Sequence, residues 1–148
     1  MRSHCVHCHR AHMKRYCRAK YATPLGRAKQ LFGNLCQRAK KKQTSVTVSV
    51  EHLFVLVKMG YCQKSGLPFN LSTPDSTHFN PFSPSVDRIN NAKAYDTDNI
   101  QMVCNMYNMG KSDNSELDFI AMCCAVAERH ASDPAVVQRL KEIRNAEF

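Results

Sequence analysis

Between residues 25 and 39 the apolar side chains fall at Leu25, Ala28, Leu31, Phe32, Leu35 and Ala39. Steps of three and four along a chain put side chains on one face of an α-helix, so this stripe predicts an amphipathic helix. Thr23-Pro24 marks its start, with Thr as N-cap and Pro in the first turn. A β-prone run, Val46 to Val50, leads into a second apolar helix, "EHLFVLVKMG", with Ser49 as cap and Gly60 as stop. "YCQKSGLPFNL" predicts a hairpin turning at Ser65-Gly66. Residues 72–84, rich in Ser, Thr and Pro, predict a loop.

The period then changes from helical to two. In Ser85-Val86-Asp87-Arg88-Ile89, Val86 and Arg88 share one strand face while Asp87 and Ile89 share the other. A polar turn from Asn91 to Asp98 precedes the apolar Ile100, Met102 and Val103. A helix starting near Cys104 would carry Asn108 and Lys111 one turn apart. Two further helices are predicted: "NSELDFIAMCCAVAERH", with Ser115 and Asp118 in capping-box positions, and "DPAVVQRLKEI", started by Asp133-Pro134. Cys123 and Cys124 fall in the apolar pattern of the first of these and are expected in the core. There is no internal repeat. The expected class is α+β, divided into 1–22, 23–58, 59–114 and 115–148.

Charge changes this picture. The chain of 148 residues carries a net +9, and residues 1–50 hold 12 Lys or Arg and no acid. Residues 51–148 hold 9 basic and 12 acidic side chains. A half-chain without acids repels itself unless an anion offsets it, and nucleic acid is the commonest such polyanion. Arg27, Lys29, Arg38 and the run Lys40, Lys41, Lys42 lie largely off the apolar stripe, so the helix is expected to dock by one side and offer cations to DNA phosphates. Bulky aromatic anchors that would favour a membrane surface are lacking. No stretch is apolar enough to span a bilayer, and the first ten residues lack a signal-peptide core, so a soluble, cytoplasmic protein is expected.

Eight Cys in a chain of this length, with no secretory signal, do not predict a disulfide scaffold. Cys5, Cys8, His12 and Cys17 form C-x2-C-x3-H-x4-C, one residue short of a zinc-knuckle spacing. They are candidate ligands for a structural Zn2+, with His7 or His9 as substitutes for His12. Reduced surface cysteines beside a His-rich start are the alternative.

Asp87 and Asn108 both offer oxygens, which suits Mg2+ or another hard divalent ion better than zinc, if the helix packs across the strand pair. Residues 60–114, about a third of the chain, resemble the ββα-metal core of HNH endonucleases. The resemblance rests on "VDRI", "DN" at 98–99, and "NMGKSDN" at 108–114, similar to the HNH domain of CRISPR effector nucleases. Cys104-Asn-Met-Tyr-Asn108 is similar to the helix start of the endonuclease VII type, and the wider layout to small phage-encoded HNH endonucleases. It implies a ββα-metal core with flanking helices, Mg2+ or Mn2+ held by Asp87 and Asn108, and Asn99 tying the loop to the backbone. It also implies double-stranded DNA as partner, Lys111 as a further phosphate contact, and a host cell's cytoplasm as location if the gene is a phage's.

Two positions depart from that family. A His usually follows the Asp and takes the proton from water. Here stands Arg88, whose guanidinium stays protonated and has no acceptor lone pair. Asn90 occupies the place where a related nonspecific-nuclease motif carries a His. Three accounts follow. Arg88 clamps a phosphate while His78 acts as base from the preceding loop; solvent or a substrate phosphate oxygen takes the proton; or the chain binds nucleic acid without cutting it. The second departure is at the paired zinc-clamp cysteines of the endonuclease VII type, where Cys62-x2-Ser65 and Cys104-x2-Tyr107 keep half of each pair. A zinc-knuckle RNA binder centred on residues 5–17 is a further alternative.

Overall fold

The computed structural model describes residues 5–72 and 80–146. In chain order it contains helices α1 (Val6–Tyr21), α2 (Pro24–Lys42) and α3 (Val50–Lys58), strands β1 (Pro84–Arg88) and β2 (Ile100–Cys104), then α4 (Asn105–Lys111), α5 (Glu116–His130) and α6 (Pro134–Arg144). No helix among the described residues is long and apolar enough to cross a membrane.

Side-chain caps define most helix starts. Thr23 Oγ1 accepts from Gly26 N at 3.1 Å, Ser49 Oγ from His52 N at 3.2 Å, Ser115 Oγ from Asp118 N at 3.2 Å and Asp133 Oδ1 from Ala135 N at 2.9 Å. Each satisfies an amide that the first helical turn leaves without a partner. α2 ends at Gln43 in the left-handed region, φ 50°. Gly60 after α3 has φ 83°, a conformation that costs a glycine little.

The stripe on α2 buries Ala28, Leu31, Leu35 and Ala39; Phe32 is half-buried and Leu25 exposed. These side chains join Leu53 and Val57 of α3 and Val86, Met102 and Val103 of the sheet in one core. Residues 61–69 form the expected turn: Tyr61 bridges Pro68, Gly66 N donates to Cys62 O at 2.8 Å, and Gly66 has φ 69°. This turn flanks β2, where Gln63 N donates to Met102 O at 3.0 Å and Gln63 Oε1 accepts from Met102 N at 2.6 Å.

The Val46–Val50 run makes one bridge, Val46 to Tyr95, and Ser49 then caps α3 as expected. One expectation is corrected. Cys123 and Cys124 are exposed, and neither α5 nor α6 buries any residue. Their apolar pattern is real, but among the described residues only the first turn of α5 is packed, where Phe119 meets Tyr107. Cys5 stands at the N-cap of α1 and Cys8 lies in its first turn.

Candidate active site

β1 and β2 pair antiparallel, with Asp87 opposite Gln101 and Pro84 opposite Cys104. α4 follows β2 without a linker and folds back over β1. Its first amides are taken by the chain leading into β1: Asn105 N donates to Ser83 O and Met106 N to Pro81 O, both at 2.9 Å. That backbone docking compensates for a Cys104 N-cap without side-chain hydrogen bond. Asn108 and Lys111, one turn apart, consequently face Ser85 and Asp87, two apart on the strand.

Asn108 Nδ2 donates to Ser85 Oγ at 2.7 Å and to Val86 O at 3.1 Å. No partner among the described residues meets its Oδ1. Asp87 is 4% exposed; its Oδ2 accepts from Gln101 Nε2 at 2.9 Å, and Lys111 Nζ lies 3.2 Å from its carboxylate. Lys111 also donates to Arg88 O at 3.1 Å. The lysine expected to reach a phosphate is therefore 1% exposed and serves as counter-ion to Asp87. Gln101 Nε2 also donates to Glu116 Oε1 at 2.7 Å, and Glu116 further accepts from Tyr107 and Lys64. Burial raises the Glu116 carboxyl, but the hydrogen bonds from Gln101, Lys64 and Tyr107 outweigh it and hold the group below its ordinary range.

Asn99 closes the loop between the strands with both ends of its carboxamide. Its Oδ1 accepts from Asn90 N at 2.9 Å, and its Nδ2 donates to Asn90 O at 3.0 Å and Ala94 O at 2.8 Å. Arg88, on the opposite strand face, donates to Lys93 O at 3.0 Å, and its guanidinium lies 4.8 Å from the Tyr95 ring centroid. Engaged there and 7% exposed, it braces this loop. His78 lies outside the described residues.

Asp87, Arg88 and Asn108 line an open cleft of about 220 Å³ with Arg38, Lys42, Asn91 and Asp113 on its walls. Lys42 and Asp113 pair loosely at 3.7 Å. Ser112, with φ 50° in a non-glycine residue, turns the chain out of α4 and sets Asp113 at the rim. A larger groove of about 490 Å³ opens between α2 and the start of β1, and Arg38 lines both. Arg38 Nη1 donates to Val86 O at 3.4 Å while its Nε is buried without a partner. Lys29, Lys40, Lys41 and Lys42 are exposed. Arg27 is not: it is 7% exposed, donates to Gln30 Oε1 within α2 at 2.9 Å and ties the helix to Leu71 O at 2.7 Å. Burial pulls its guanidinium below its ordinary pKa.

The cleft's donor set fits a hard divalent ion: one carboxylate and one carboxamide oxygen, no sulfur. The Lys111 ammonium already balances the carboxylate, so an ion would share Asp87 with it. At α1, Cys5, Cys8 and His12 are exposed and Cys17 is half-buried. Among the described residues no three His, Cys, Asp or Glu side chains gather as a metal group. Cys62 and Cys104 do meet, as thiols. The hydrogen bond from Cys104 brings Cys62 down to about 5, and the same bond with burial pushes Cys104 up. Gln101, Glu116 and Asp113 escaped sequence reasoning. Only the pairing of Gln101 with Asp87 was accessible there, from strand register.

No protein-family model and no curated protein matches the chain. Among solved structures, it is similar to the rare-cutting HNH restriction endonuclease PacI, at 20% identity and a TM-score of 0.50, over 69% of this chain and 78% of that one. With the contiguous β1–β2–α4 unit, that likeness gives this chain an HNH-like ββα fold.

Proposed function

We propose that this chain is a divalent-metal-dependent HNH endonuclease that hydrolyses phosphodiester bonds of double-stranded DNA, of phage or mobile-element origin. The observation that carries the reading is the meeting of Asp87 and Asn108 in one cleft whose walls carry Arg38 and Lys42. Likeness to a restriction endonuclease supports it at the level of fold. Asp87 and Asn108 would hold Mg2+ or Mn2+, and the ion would supply charge stabilisation for the transition state and the leaving 3′-oxygen. Arg38 and Lys42 draw the phosphodiester in, and the exposed Lys29, Lys40 and Lys41 hold the flanking backbone. Asn99 fixes the loop and, through it, the end of β1. Arg88 accepts no proton; of the two carboxylates lining the cleft, Asp113 is the one not bonded to strand groups.

The test is nicking of supercoiled plasmid across a Mg2+ or Mn2+ titration, with Asp87→Ala and Asn108→Ala as controls and circular dichroism to verify folding. Nicking by the wild type and a loss of about 100-fold or more in both variants is expected. Equal nicking by all three ends the proposal.

A second reading, a DNA- or RNA-binding module that keeps the fold without cutting, draws on the buried Lys111–Asp87 pair, which already neutralises the carboxylate. It expects unchanged nucleic-acid affinity in Asp87→Ala and no nicking by any form of the protein.

A further inference from the structure

The groove beside the cleft has a chemistry that phosphate binding does not explain. On α2, Gln30, Asn34, Gln37 and Lys41 succeed one another at steps of four, three and four, and all four line it. Three of them are carboxamides in the most basic part of the chain. A phosphate presents only acceptors, so a carboxamide's oxygen is wasted on it, and a lysine at the same place would attract it more strongly. Asn34 and Gln37 are exposed, and neither has a hydrogen-bond partner among the described residues. Each presents an adjacent donor and acceptor. The major-groove edge of adenine presents the complementary pair, an N7 acceptor and an N6 donor, and side-chain carboxamides bind it through both.

We infer that this groove reads base edges of duplex DNA next to the cleft, with Asn34 and Gln37 selecting adenine and Arg38 and Lys41 holding the adjoining phosphates. The inference rests on duplex DNA being the partner, as proposed above, but not on cleavage. Three helical residues rise about 4.5 Å, near the roughly 3.4 Å step of base pairs, so Asn34 and Gln37 address neighbouring pairs. α2 has 19 residues and spans about 28 Å, and a major groove about 12 Å wide accommodates a helix. Arg38 borders both groove and cleft, so DNA read at α2 leads directly to the phosphodiester at Asp87 and Asn108. Asn105 on the opposite wall adds a short polar side chain without charge.

The experiment is selection from a randomised duplex library by the full chain in EDTA, which separates binding from cutting, followed by anisotropy titrations with the enriched sequence. A motif with adenine at two adjacent fixed positions is expected, preferred about ten-fold over the same duplex with G·C there. The double variant Asn34→Ala/Gln37→Ala removes side chains that hold nothing in the protein. It should lose the preference and keep its affinity for unselected DNA within about two-fold. Lys41→Ala should weaken binding to every sequence alike. No enriched motif, a motif unchanged in the double variant, or tighter binding to duplex RNA would each overturn the inference. Plasmid nicking in Mn2+, run in parallel, reports on the endonuclease reading: selective binding without nicking removes that reading and leaves this one, and nicking without selectivity does the reverse.

Discussion

Among the described residues Lys111 is the largest fully buried side chain, and its ammonium donates to Asp87 and the Arg88 carbonyl. Replacing one member of such a pair strands the other charge in a medium that cannot solvate it. Lys111→Met should therefore cost about 3–5 kcal/mol in urea unfolding, and Lys111→Met/Asp87→Asn should recover much of it. A loss under about 1 kcal/mol would mean that Asp87 finds water or another cation. In the sequence, Lys111 stands in a polar tail beside Gly110 and resembles any surface cation; only the packing of α4 on β1 buries it. Arg27 was misjudged for the same reason. The placement of Asp87 and Asn108 was legible from strand alternation and helical spacing, which are local rules, and that of Asn99 from the family resemblance. The environment of a long cation is set by segments far away in the chain.

Among elements, β1–β2–α4 followed from sequence almost residue by residue, since two short apolar runs and one polar turn leave few arrangements open. α5 and its Ser115 cap followed as well, but its burial did not, because an apolar pattern says that a partner is needed but not whether one exists. It is attached at its first turn, where Phe119 meets Tyr107 edge-on at 5.1 Å between ring centroids. There a Cβ on Gly110 would come within 2.9 Å of the Phe119 ring. Glu116 adds bonds to Gln101, Lys64 and Tyr107. Its folded-state pKa lies below the ordinary 4.5, so its contribution is complete above that value and fades as pH falls through the lower folded value. Glu116→Gln should thus melt below the wild type at pH 7, with the difference shrinking below about pH 4.5, followed by circular dichroism. A gap that stays constant to pH 3 would exclude ionisation of Glu116 as its source.

For the molecule as a whole, cations without any acid in residues 1–50 and a net-acidic remainder make the charge lopsided. Exposed Lys29, Lys40, Lys41 and Lys42, with half-buried Arg38, give about five phosphate contacts, so log affinity should fall with log salt at a slope on the order of −4. Lys40→Ala should flatten that slope by about 1. A flat response in the wild type would dismiss α2 as the electrostatic footprint. The charge bias was evident from sequence. That α2 shares one core with the strands, and that one arginine borders two hollows, was not.

The carbonyl of Val86 receives both Arg38 Nη1 and Asn108 Nδ2. A polyanion that draws the guanidinium outward leaves that oxygen to the carboxamide alone. Occupancy of the helix-side hollow and the posture of the Asn108 amide are thereby thermodynamically linked, and the linkage runs equally in both directions. If Asp87 and Asn108 hold an ion as proposed above, its affinity would therefore differ between the free chain and the chain bound to the long polymer.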